Sequence, residues 1–275
     1  MDNFFILLCV GFLIGTLGTL IGAGGGFILV PLLLLTHPEL TPEVVTAISM
    51  GLVACNAISG SIAYARIGRI DYRAGLLFAV FTIPGSILGV MATKYVPQDV
   101  FQLVFGGLLI VLSVFLFVRK KATDQLLQEP VPAGMKKATL TDRAGTVFSY
   151  AYNQRAGILI SVLVGFLSPI LGIGGGIIHV PAMVHWLHFP VYIATATSHF
   201  ILAIMSSVSV IVHAINGNYN DPQVLKMVIA LCIGAMCGAQ LGAFLSHRIK
   251  GKTITKALAV CLGIVGLRLL LSHFL

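Results

Sequence analysis

The sequence predicts an all-α integral membrane protein of about eight hydrophobic segments, arranged as two four-segment repeats with a glycine-broken first segment in each. Three observations predict it. Of 275 residues, 57% are hydrophobic and only 9% charged, whereas soluble domains carry about 25% charged residues. Apolar runs near the roughly 20 residues that span a bilayer recur along the chain. A glycine string, Gly22-Ala23-Gly24-Gly25-Gly26 followed by Val30-Pro31, returns 150 positions later as Gly172-Ile173-Gly174-Gly175-Gly176 followed by Val180-Pro181.

The apolar runs fall at 4–35, 43–65, 74–93, 100–118, 157–188, 191–214, 223–246 and 253–272. The start, Met1-Asp2-Asn3, has no basic region and no small-residue cleavage site, so the first run is expected to be a retained helix. Runs 4–35 and 157–188, which hold the glycine strings, are too long for one span and too short for two. Glycine costs roughly 1 kcal/mol relative to alanine in a helix interior, so three in a row predict a helix, a break and a half-helix. Pro31 and Pro181 lie deep enough in the following half-helices to kink them. The competing reading of the strings is close helix packing through small residues.

Residues 119–156 form the long polar stretch, opening Arg119-Lys120-Lys121 and carrying Pro130, Pro132, Lys136, Lys137 and Arg143. It reads as a cytoplasmic linker, mobile in its first part, with a short strand at Thr146–Tyr152. The expected division is repeat one at 1–118, linker at 119–156 and repeat two at 157–275. Matches at offsets of 149 or 150 support the repeat: Gly15 with Gly165, Ser49 with Ser198, Gly68 with Gly217, and the Gly85/Gly89 pair with Gly234/Gly238. If each broken run returns to its side of entry, the repeats are inverted. All but Lys94, Lys226 and Arg268 of the 17 basic residues then face the cytoplasm, including the cluster Arg248, Lys250, Lys252 and Lys256. Inversion also puts the two breaks together at the midplane, where paired broken helices mark transporter substrate sites.

All nine acidic residues lie in loops or at segment ends, which argues against a cation substrate. The strings suit anions, because a half-helix beginning there aims unpaired amides and a positive dipole end inward. The candidate anion-binding residues are Gly24, Gly25, Gly26, Pro31, Asn56, Gly174, Gly175, Gly176, His179, Pro181, Thr195, Ser198 and His199. Thr195, Ser198 and His199 stand at i, i+3 and i+4 and share a face. His179, between string and proline, is the first candidate for substrate contact or proton coupling. The five cysteines sit inside apolar runs without CxxC spacing and read as small apolar side chains. No zinc or hydrolase motif is present, so no metal, no cofactor and no catalytic residue is expected.

At these residues the chain resembles the TauE/SafE family of sulfite and organosulfonate exporters. The doubled Gly-x-Gly-Gly-Gly-(x)4-Pro string, the run Ala194-Thr195-Ala196-Thr197-Ser198-His199 and the two glycine pairs carry the resemblance, which covers essentially the whole chain. It implies a multi-pass inner-membrane secondary transporter of small sulfur-containing or carboxylate anions, and not an enzyme. The halves differ at two matched positions: Leu29 stands opposite His179, and Asn56 opposite Met205. The expected partners are a small anionic substrate and the lipid bilayer. A homodimer is admitted, and nucleic acid is not expected. The competing function classes are a non-transporting membrane scaffold and a membrane thiol oxidoreductase.

Overall fold

A computed structural model describes residues 3–118 and 135–246, with Lys256, Ala259, Val260, residues 262–268 and Leu271 from the last segment. The first part of the linker, the basic positions Arg248, Lys250 and Lys252, and part of run 253–272 lie outside the described residues.

The first half holds α1 (Phe4–Ile21), α2 (Gly26–Thr36), α3 (Pro42–Ile67), α4 (Tyr72–Thr93) and α5 (Gln98–Val118). A hairpin of β1 (Lys136–Thr141) and β2 (Val147–Tyr152) follows. Then come α6 (Gln154–Leu171), α7 (Gly176–His185), α8 (Val191–Ile215) and α9 (Pro222–Ser246). Helical residues at 262–268 mark the eighth apolar run. Six of these helices are long and apolar enough to cross a membrane, while α2 and α7 are shorter apolar helices. Large apolar side chains such as Leu13, Leu76, Leu88, Leu159 and Ile211 point outward, as lipid-facing residues do. The chain is an all-α membrane protein with one small hairpin. The strand expected at Thr146–Tyr152 is present, but its partner β1 carried no signal beyond Lys136-Lys137 in a polar stretch.

Local chemistry sets the helix ends in matched pairs. Asn3 caps α1 by accepting from the Phe5 amide at 3.0 Å, and Asn153 caps α6 by accepting from Arg155 and Ala156. Each cap is worth about 1 kcal/mol. Gly22 and Gly172 close the same two helices with left-handed backbone. Pro42 opens α3, where its missing N–H costs no helical bond. Asp71 caps α4 through the Ala74 amide at 3.0 Å.

Packing runs between the halves. Gly234, Gly238 and Gly242 of α9 lie directly on the backbone of Leu8, Phe12 and Thr16 of α1, in rising order along both helices. Gly85 and Gly89 of α4 lie likewise on α6, against Gly165–Phe166 and then Phe166–Pro169. In lipid, such small-residue contacts let backbones approach and replace the hydrophobic effect as the force between helices. Both pairs therefore run parallel. Along α3 and α9, Gly51 meets Val228 and the Ser59 hydroxyl donates to Met236 O at 2.7 Å, again in parallel order. α8 runs opposite to α3: His199 lies beside Gly60, whereas Tyr219, just beyond α8, donates to Ala47 O at 2.8 Å. Thus α1, α3 and α9 point one way, and α4, α6 and α8 the other.

The hairpin sits where α3 ends and α4, α6 and α8 begin. Arg69 clamps Asp142 at 2.9 Å, the Arg143 amide donates to Ile67 O, and the Tyr150 hydroxyl donates to Asp71 at 2.7 Å. Tyr150, Tyr152 and Phe189 pack as one aromatic cluster. Burial and the Asp71 charge push the Tyr152 phenol up to about 12, and burial together with its hydrogen bond to Asp71 and that charge raises Tyr150 further.

Candidate functional site

The two glycine strings meet in the interior. Ser49 of α3 donates to Gly172 O at 2.5 Å, and its repeat counterpart Ser198 of α8 donates to Gly22 O at 3.3 Å. Each half thus holds the break of the other through the same serine. Gly26 and Gly176, the first residues of α2 and α7, occupy matched places too. A Cβ on Gly26 would strike Gly172 O, and one on Gly176 would strike Gly22 O. Gly25 and Gly175, the N-caps, have φ of 94° and 68°, a region that side chains with a Cβ rarely adopt. Both strings therefore need glycine for closeness and for backbone angle.

Helix N-termini leave their first amides without intrahelical acceptors. Here those amides are buried. Among the described residues, none accepts from the amides of Gly25, Gly26 and Phe27, or from those of Gly174, Gly175 and Ile177. Buried N–H groups left this way are rare and costly. Two half-helix starts thus bring six unpaired donors to one apolar interior, with no basic side chain among them.

The side chains around the strings differ between the halves. Asn56 of α3 donates to Gly24 O at 3.1 Å and accepts from Thr19 at 3.0 Å, and the His199 Nε2 lies 3.2 Å from the Thr19 hydroxyl. The chain α3–α1–α8 is thereby closed, and Tyr64 adds a bond to Thr19 O at 2.9 Å. On the other side the matched position is Met205, whose methyl approaches Gly175 together with the hydroxyl of Ser168. Ser168 Oγ is buried without a partner, as are His199 Nδ1 and His179 Nδ1.

Of the sequence-predicted residues, the structure gathers Gly24, Gly25, Gly26, Gly174, Gly175, Gly176, Asn56, Ser198 and His199 around the breaks. Thr195 joins them, its methyl lying against Gly22 while its hydroxyl bonds back to Val191 O. His179 does not reach across. Its Nε2 lies 3.3 Å from Ser161 of α6, within its own half. Pro31 and Pro181 sit at the sixth residue of α2 and α7, past the breaks. Sequence reasoning missed Thr19, Tyr64 and Ser168 as neighbours of the strings. Ser49 is legible as a polar residue near the strings and as the repeat match of Ser198, and that pairing was the signal for its role. No cluster of three or more metal-ligating side chains occurs among the described residues.

Comparison with known proteins agrees with the architecture. The family model described as "Sulfite exporter TauE/SafE" matches residues 7–269. The probable membrane transporter protein YunE of Bacillus subtilis (strain 168) is 33% identical over 276 residues, covering 98% of this chain and 97% of that protein. A probable membrane transporter protein of Methanocaldococcus jannaschii is 25% identical, over 97% of this chain and 95% of its own length. YdhB, another probable membrane transporter protein of Bacillus subtilis, is 24% identical over 96% of this chain and 99% of its own. No solved structure matches the chain. The doubled glycine break and its cross-held serines are thus features of a member of the sulfite exporter TauE/SafE family of membrane transporters, to which this chain belongs.

Proposed function

We propose that the protein is a secondary transporter of small anions, namely sulfite, sulfonates or related sulfur-containing or carboxylate anions, working by alternating access in a bacterial inner membrane. One observation carries the reading: the six buried amides at the starts of α2 and α7 that no described residue accepts from. An anion there gains several charge-assisted hydrogen bonds and two favourable dipole ends without a buried basic side chain to compete for it. Ser168, Asn56, Ser198 and His199 supply further polar atoms at the rim.

The opposed helix directions support two inverted repeats, 1–118 and 157–275, related about the midplane and joined by a linker at 119–156. The hairpin face carries Arg66, Arg69, Arg73, Lys136, Lys137, Arg143 and Arg155, against Lys94 and Lys226 on the other. That bias supports a cytoplasmic hairpin. Proton coupling rests on His179 and His199, whose rings each keep a buried nitrogen without a partner. It is abandoned if His179→Gln and His199→Gln variants keep the pH profile of wild-type transport.

The deciding experiment is thermal stabilisation of the purified protein by sulfite, sulfate, thiosulfate, sulfoacetate, taurine and simple carboxylates. A binder at 100 times its dissociation constant adds about 2.7 kcal/mol, an upward shift of several degrees. A sulfite or sulfonate hit fits the reading and names the class. A flat response to every anion overturns it and reduces the strings to helix packing.

A further inference from the structure

Away from the glycine breaks, α3 and α9 keep one register over two turns. Gly51 lies on Val228, and Ser59 bonds to Met236, each pair 177 positions apart. Midway between them, four residues on from the first pair and four before the second, stand Cys55 and Cys232. Positions four apart on a helix share a face, so both cysteines lie on the contact surface. The register sets their side chains opposite each other at that surface. Both are only part-buried. Around them Ile58 and Ile62 of α3 and Ile229 and Ile233 of α9 are exposed apolar residues, so the pair is open to the lipid phase. The sequence offered no hint of this, because the partners come from different halves and no CxxC spacing joins them.

We propose that Cys55 and Cys232 form a reversible dithiol–disulfide site that staples α3 of the first half to α9 of the second. Closure breaks two S–H bonds and forms one S–S bond. The two electrons and two protons pass to a lipid-soluble two-electron oxidant of the quinone class, which leaves as the quinol. The parallel register holds the sulfurs face to face, so closure needs a side-chain rotation and no sliding of the helices. The staple fastens α3 one residue from Asn56, on the helix that also brings Ser49 to the breaks. This proposal stands whether or not the strings bind an anion.

The test uses the full-length protein in membranes, treated with diamide or a short-chain ubiquinone analogue and quenched with maleimide. Peptide mapping of the wild-type chain should show the Cys55 peptide joined to the Cys232 peptide, and dithiothreitol should release them. In a chain lacking Cys9, Cys237 and Cys261, maleimide labelling should fall from two thiols to none on oxidation. Adding Cys55→Ser or Cys232→Ser should leave one thiol reactive throughout. Two reactive thiols after oxidation would overturn the proposal, as would a linkage found only between separate chains.

Discussion

The two glycine breaks share a backbone and differ in what holds it. In the first half, Asn56 ties Gly24 to Thr19 and through it to His199, so three helices converge on one hydrogen-bonded chain. In the second half, Met205 replaces the amide and leaves Ser168 Oγ without a partner beside Gly175. What both halves keep is the serine donor, the left-handed caps and the buried amides. The difference separates what the matched sequences of the two breaks share from what one half alone carries. A polar network fixes the first break rigidly, while the second is held by backbone closeness and soft packing.

Substituting Gly26 or Gly176 with valine should produce the largest effect, since the new Cβ would overlap a carbonyl of the other string. Each should destabilise by about 3 kcal/mol or more, read as loss of folded protein in thermal unfolding. Equal losses would place the shared geometry above the local networks; a tolerated Gly176→Val would show the second break to be the looser one. Next comes the polar network. Asn56→Leu strands the Gly24 carbonyl and leaves the Thr19 hydroxyl with His199 alone; it should cost about 1–3 kcal/mol, whereas Met205→Leu at the matched site should cost under about 1.5 kcal/mol. Equal melting-temperature shifts for the two would erase the asymmetry.

The cross-held serines should give smaller changes. Ser49→Ala and Ser198→Ala each remove one interhelical bond, worth about 0.6 kcal/mol on average in membrane proteins. The shorter Ser49 contact should cost more than the 3.3 Å contact of Ser198, and a reversed order would contradict the geometry. The hairpin gives the smallest effect and lies outside both breaks. Burial alone would raise the Asp142 carboxyl, but hydrogen bonds from the Thr146 and Ala144 amides and from Arg69, with the Arg69 charge, outweigh it and hold the group below its ordinary value. Because the folded-state value is depressed, this support is full above the ordinary carboxylate pKa of about 4 and is lost as pH falls through the folded value. Protease cleavage of the hairpin should therefore accelerate only below about pH 4, and Asp142→Asn should remove that dependence.

Much of the molecule was legible in the sequence. Composition and run length gave the membrane class, and the glycine strings gave the broken first helices, whose second parts the structure starts on the last glycine of each string. Asn3 and Asn153 stand at the same repeat offset, but their capping role came from the structure. The hairpin was half legible, because β2 is rich in aromatic and β-branched residues while β1 is polar and gains its order by pairing. Thr19 and Ser168 were illegible, since a lone hydroxyl in an apolar run carries no sign of which helix it will meet. His179 was half legible for the same reason: its position beside the string fixed its depth but not its direction, which the structure sets toward Ser161.

Local physics operates within one turn of a helix, and the sequence by itself determined what depends on that range: where helices start, break and end, and which residues avoid water. Only the tertiary structure decided the pairings that bridge 100 or more positions. These include Ser49 on Gly172, Ser198 on Gly22, α9 on α1 and Cys55 facing Cys232. The physical reason is that lipid gives apolar faces no preference among one another. Partner choice then falls to small-residue fit and to buried polar groups seeking acceptors, and both depend on where the other half of the chain lies.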